Sequence, residues 1–126
     1  MFNRILYLKI ESNKVTMRDP KTQREVSRVS VVPFTTEHLL AGNFTIAEAA
    51  IKDLSRSFFT PGFSFVPGFS FLAPRFVVHP LEMTEGGLSQ VEERLFEELG
   101  RSSGARSVKL HVGNVLSDQE LANFFR

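Results

Sequence analysis

The sequence has no cysteine, no tryptophan and a single tyrosine, Tyr7. Without cysteine there are no disulfides, no thiolate metal sites and no cysteine nucleophile. Neither sign of charge dominates: 15 Lys and Arg stand against 14 Asp and Glu, for a net charge of +1. That balance removes the electrostatic basis of a dedicated nucleic-acid binder, so nucleic acid is not the expected partner. No apolar run approaches the roughly 18 residues of a membrane span. The opening Met1-Phe2-Asn3-Arg4-Ile5-Leu6-Tyr7-Leu8 runs straight into Lys9 and Glu11. This is not the pattern of a signal peptide, and the expected location is the cytoplasm. The phosphate motifs G-x-x-x-x-G-K-[ST] and G-x-G-x-x-G are missing, as is the nucleophile elbow G-x-S-x-G.

What remains is an ordinary globular composition, 42% hydrophobic and 23% charged over 126 residues. That length predicts one domain, residues 1–126, with one core. Residues 5–10 are strongly apolar and read as a strand buried on both faces. Residues 14–18 alternate through Val15 and Met17. Asp19-Pro20-Lys21-Thr22 is a turn signal, because Pro presets φ and Asp can bond its own backbone. Residues 25–32 alternate through Val26, Val29 and Val31, and Pro33 ends the run. Together these segments predict an antiparallel meander.

Thr45-Ile46-Ala47-Glu48 has the pattern of a capping box. Ala47, Ala50, Ile51, Leu54 and Phe58 follow at the spacing of one helix face. Residues 74–79 read as a short strand that His79, standing before Pro80, ends. Ser89-Gln90-Val91-Glu92 is a second capping box, and Leu88, Val91, Leu95 and Leu99 give the apolar face of its helix. Gly100 or Gly104 is the candidate for stopping that helix. Residues 107–112 form another alternating strand, and Ser117-Asp118-Gln119-Glu120 opens a last short helix through Leu121, Phe124 and Phe125. Val77, Val91, Leu95, Val108 and Leu110 are the expected core where these periodicities agree. The order β-β-β-α-β-α-β-α predicts an α/β fold with a mixed sheet covered by helices.

Between the first helix and the fourth strand lies a Phe-rich stretch at about residues 58–73. Pro61-Gly62-Phe63-Ser64-Phe65-Val66 is followed by Pro67-Gly68-Phe69-Ser70-Phe71-Leu72, a near-perfect tandem hexapeptide. Its two Pro-Gly pairs exclude a helix, and two units are too few for a solenoid. In Phe-Ser-Phe both rings fall on one side of an extended chain. Either the segment folds over the sheet, or Phe63, Phe65, Phe69 and Phe71 form a contact element for self-association or a partner groove.

The element order is that of the ribonuclease-H-like fold, which is also half of one lobe of actin-like ATPases. Pro74-Arg75-Phe76-Val77-Val78 resembles the strand before the second helix of the bacterial actin homologue MreB. Ser89-Gln90-Val91-Glu92-Glu93-Arg94 resembles the opening of that helix. Ser103-Gly104-Ala105-Arg106-Ser107-Val108-Lys109-Leu110 resembles the passage from helix into strand. The likeness is clearest over residues 74–110. The whole chain resembles more closely a family of small gammaproteobacterial proteins called YjaA. The run Leu81-Glu82-Met83-Thr84-Glu85-Gly86-Gly87-Leu88-Ser89-Gln90-Val91-Glu92-Glu93-Arg94 carries this resemblance, with Val15-Thr16-Met17-Arg18-Asp19 and Arg24-Glu25-Val26-Ser27. It implies no reaction, only a loose association with stress response.

The actin-like resemblance implies ATPase parts that the residues do not supply. Where Asp-x-Gly-Thr should follow the first strand stands Glu11-Ser12-Asn13-Lys14. Asn13 has a Cβ where the phosphate loop wants Gly. No carboxylate stands in Leu110-His111-Val112-Gly113-Asn114, where the catalytic Glu would be, and a second lobe would lie beyond Arg126. A metal-dependent nuclease would need converging carboxylates. Glu11, Glu48, Glu82 and Asp118 are the candidates, but each has a simpler role in a turn, a loop or a helix start. His38, His79 and His111 lack metal-ligand spacing and read as ordinary surface or strand-end residues. Arg18, Lys21, Arg24 and Arg28 read as solvated strand faces rather than a nucleic-acid patch. The sequence therefore predicts no catalytic, cofactor-binding or metal residues and no cofactor. The expected function is a non-enzymatic interaction or adaptor module with an unknown protein partner, forming a homodimer. The alternative is a degenerate nucleotide- or nucleic-acid-handling domain of ribonuclease-H-like ancestry.

Overall fold

The computed structural model describes residues 4–58 and 73–125. The Phe-rich tandem segment, with Phe63, Phe65, Phe69 and Phe71, lies outside the described residues. Among the described residues a five-stranded mixed sheet carries the fold, with β1 Ile5–Glu11, β2 Lys14–Asp19, β3 Arg24–Val29, β4 Arg75–Pro80 and β5 Ser107–Leu110. The strand order is β3-β2-β1-β4-β5. The first three strands pair antiparallel, while β4 lies parallel to β1 and β5 parallel to β4. Among the described residues three helices complete it: α1 Phe44–Ser55, α2 Gln90–Ser102 and α3 Asp118–Asn123.

The central strand β1 is buried on both sides because its two side-chain rows meet two different covers. Leu6, Leu8 and Ile10 join Val15, Met17, Phe76 and Val78 beneath α1 and α2, which add Ala47, Ile51, Leu54, Phe96 and Leu99. On the opposite face Tyr7 and Val77 pack with Leu121 of α3, flanked by Ile5, Leu116, Phe124 and Phe125. The sheet thus has a large core on one face and a small one under the C-terminal segment on the other.

The turn chemistry follows the sequence at Asp19, whose carboxylate accepts from the Lys21 amide at 3.0 Å and from Arg4 at 3.2 Å. β3 is shorter than its alternating pattern. The Ser30 amide donates to the Asn13 carbonyl and the Ser30 hydroxyl bonds the Val32 carbonyl. The chain leaves the ladder there, and Val31 ends 98% exposed. β5 likewise stops at Leu110, so Val112 is exposed rather than part of the strand.

Two helix readings need correction. α1 begins at Phe44 with Asn43 as its N-cap, and no side chain caps it. Thr45 is therefore inside the first turn and Thr45–Glu48 is not a capping box, although the face Ala47, Ile51, Leu54 is buried as expected. α2 does have its capping box between Ser89 and Glu92, but its buried face is Phe96, Leu99 and Gly100. Val91 is 72% exposed. The largest ring and the smallest residue set the rotation: Phe96 fills the core, and Gly100 lets the helix approach the sheet. A Cβ on Gly100 would meet Val108 Cγ2 at 2.6 Å. Of the other expected core residues, Val77 is buried, and Leu95, Val108 and Leu110 are half-buried against the main core. The helix-stopping residue is Gly104, with φ +116°, since Gly100 lies within α2. His79 does not end its strand, which runs on to Pro80.

Candidate functional site

The hairpin between β1 and β2, where the actin-like resemblance leads one to expect a phosphate loop, is filled from within the chain. Ser12 and Asn13 form its two-residue tip, and Asn13 adopts φ +56°, a conformation that Asn tolerates better than most residues. Its side-chain Oδ1 accepts from the amides of Phe34 at 2.9 Å and Thr35 at 2.8 Å. Its own amide donates to Thr35 Oγ1 at 2.9 Å. The loop so clamped buries Phe34, Leu40 and Ala41 in the main core. On the other side of the tip, Glu82 accepts from the Ser12 amide and, at 3.1 Å, from the Ser12 hydroxyl. The backbone donors Ser12, Asn13, Phe34 and Thr35 are thus all engaged, and a carboxylate sits against the turn.

A second cluster lies under α3. The Tyr7 hydroxyl is 2.5 Å from His79 Nδ1, and His79 Nε2 is 3.0 Å from the Gly113 carbonyl. A carbonyl only accepts, so Nε2 carries the proton and Nδ1 accepts from Tyr7. The Tyr7 oxygen in turn accepts from the Leu116 amide at 3.1 Å. His111 meets His79 edge-on at 4.6 Å and hydrogen-bonds the Asn114 carbonyl through Nε2 at 2.8 Å. His79 is fully buried. Burial, then the neighbouring His111 charge, lowers its pKa to about 4, with Lys9 acting in the same direction against the favourable Gly113 bond. Burial also raises the Tyr7 pKa, with Glu120 adding to it and the Leu116 bond opposing. A neutral imidazole with both nitrogens engaged and no exposed edge offers no lone pair to a metal or a substrate. Its role in this geometry is to tie residues 113–116 to the sheet.

The four carboxylates weighed for metal chemistry are dispersed. Glu11 pairs with Lys14 at 4.0 Å at the hairpin base. Glu48 on α1 lies by Lys52 at 3.5 Å, and its pKa is lowered mainly by a hydrogen bond with Ser102 of α2. Glu82 holds Ser12. Asp118 receives Arg18 Nε at 2.8 Å and Nη2 at 2.9 Å, a two-pronged bond that lowers its pKa. Among the described residues no group of three or more His, Asp or Glu could hold a metal ion. The basic residues are divided as well. Arg18 faces α3, whereas Arg24 stacks over Phe58 at 5.0 Å and Arg28 pairs with Asp53 at 3.2 Å on the α1 side. His38 is exposed in the loop before α1, apart from the other two histidines.

Nothing local in the sequence announces the partners of Tyr7, His79 or Asn13. One signal was available for the first two. A lone Tyr on the minor face of an apolar central strand, beside a parallel strand carrying His, brings both polar groups under the same cover. The Arg18–Asp118 bond joins residues 100 apart and leaves no local signature.

Among the described residues no helix is long and apolar enough to cross a membrane. No protein-family model matches the sequence. The chain is 40% identical over 95 residues to the uncharacterised protein YjaA of Escherichia coli (strain K12), an alignment covering 75% of this chain and 72% of that protein. With that identity over most of both chains, the chain belongs to the YjaA family.

Proposed function

We propose that the protein is a non-enzymatic interaction module of the cytoplasm, built on a ribonuclease-H-like scaffold that resembles half an actin-like lobe stripped of ATPase machinery. The strand order β3-β2-β1-β4-β5, with a hairpin meander on one side and parallel strand–helix units on the other, supports the scaffold. The observation that carries the functional reading is the β1–β2 tip. In a phosphate loop, backbone N–H groups are left for the ligand's oxygens. In this chain those donors are spent on Asn13, Thr35 and Glu82, and the Glu82 carboxylate would repel a phosphate from the same position. What the chain has instead is the tandem Pro-Gly-Phe-Ser-Phe segment. Four rings within nine positions of the sequence between α1 and β4 make an apolar stretch suited to a contact with a partner. A second copy of the chain supplies that partner through a self-complementary contact, so the module is a homodimer through Phe63, Phe65, Phe69 and Phe71.

Melting temperature with and without millimolar Mg-ATP tests the nucleotide half of this reading. The expected result is no change in melting temperature and no ATP turnover above background. A reproducible upward shift with Mg-ATP, abolished by altering Asn13, contradicts it.

A further inference from the structure

We propose that His79 is the latch of an acid-operated switch: protonation of its imidazole releases residues 113–125 from the sheet face formed by Ile5, Tyr7 and Val77. The hydrogen-bond wiring is the first support. His79 is joined to the C-terminal segment twice, directly through the Gly113 carbonyl and through Tyr7 to the Leu116 amide. The second bond exists only while Nδ1 is a lone pair. In an imidazolium both nitrogens donate. The Tyr7 hydroxyl, already accepting from Leu116, then loses the acceptor for its own proton in a buried place.

The charges around the ring work against holding a proton in the docked state. On β1, Lys9 Nζ lies 5.6 Å from the Tyr7 ring centre. At the end of β5, His111 meets the ring at 4.6 Å. On α3, Glu120 makes itself felt at Tyr7 but is held in the capping box with Ser117. Asp118 is spent on Arg18. On β4 and β5, Arg75 and Lys109 lie over the Phe125 ring at 5.3 and 5.0 Å. Once the segment has left, those charges stay on the sheet, but the ring is solvated and burial, the largest cause opposing its proton, is gone.

The segment is also built to leave by itself. The last ladder bond is from the His111 amide to the Val78 carbonyl, and α3 belongs to no strand pairing. Its buried anchor is Leu121, in a cluster that shares no residue with the main core under α1 and α2. Release is therefore a local opening rather than a global one. The sign follows from linkage. His79 has a depressed pKa when docked, about 4, and an ordinary one near 6.5 when solvated. Docking is at full strength above about pH 6.5 and weakens as pH falls toward 4. The docked-to-released ratio drops by up to about 300-fold once the pH is well below 4, and by about half that factor at pH 4.

Nuclear magnetic resonance of the full-length 15N-labelled protein, titrated from pH 7.5 to 4, reads the switch directly. The Leu116 and Leu121 amides should move to released positions with a midpoint between pH 4 and 6.5, following the His79 ring nitrogens, while Leu8 and Val78 stay put. In His79→Gln this transition should be absent. Tyr7→Phe, which keeps the ring and removes the hydroxyl, should raise the midpoint. The proposal is overturned if Leu116 and Leu121 stay docked while His79 protonates, or if all amides are lost together. It is equally overturned if His79→Gln keeps the transition, which would assign it to Asp118 and Glu120, or if Tyr7→Phe leaves the midpoint unchanged.

Discussion

Asn13 does two separable things: it accepts a positive φ at the hairpin tip, and it clamps the 34–35 backbone with its side chain. Asn13→Gly keeps the first and removes the second. It leaves two part-buried amides without their acceptor and should cost about 1–3 kcal/mol in urea unfolding. Asn13→Ala removes both and should cost about 1–2 kcal/mol more, the penalty of a left-handed conformation for a residue with a Cβ. Equal losses in the two variants would mean that the clamp alone matters. In the sequence Asn13 reads only as a residue too large for a phosphate loop. Its real partners are 21 and 22 positions away, and nothing local announces them.

At the scale of the element, α2 separates what periodicity can and cannot tell. The helix, its start at Ser89 and its amphipathic character are legible in Ser89-Gln90-Val91-Glu92 and the leucines that follow. Its rotation is not, because Val91 and Phe96 both fit an apolar stripe and only the depth of the groove over β4 and β5 selects between them. Phe96→Ala should therefore cost about 3–5 kcal/mol and Val91→Ala less than about 0.5 kcal/mol. Gly100→Ala tests the close approach. Ala improves the helix by about 1 kcal/mol in an open site. In this one its methyl meets the stiff Val108 side chain at 2.6 Å, so overpacking of about 1–3 kcal/mol should win and the variant should melt lower. A Gly100→Ala protein more stable than wild type would show that the helix can lift without loss. Similar reasoning explains α1: a Thr three residues before a Glu imitates a capping box, but Asn43 is already tied to Pro33 and Phe34, and the helix starts from there.

For the molecule as a whole, the two sheet faces divide the labour. The face under α1 and α2 holds the main core and was legible in the apolar runs of β1 and β4 and the alternation of β2. The other face was legible only as a short last helix with Leu121, Phe124 and Phe125. The polar bonds that seat it, Arg18 to Asp118 and Tyr7 to His79, depend on tertiary neighbours and were not. The proposed function assigns association to neither face but to the tandem segment, and one experiment addresses that most directly. Sedimentation of the intact protein and of a variant lacking residues 67–72, over a concentration series, should give a concentration-dependent dimer for the first. The second should be a folded protein with weakened association, because shortening a connection costs folding little beyond closure entropy. If both proteins are monomers at every concentration and the deletion melts the core, the segment belongs to the fold and the interaction-module reading is wrong.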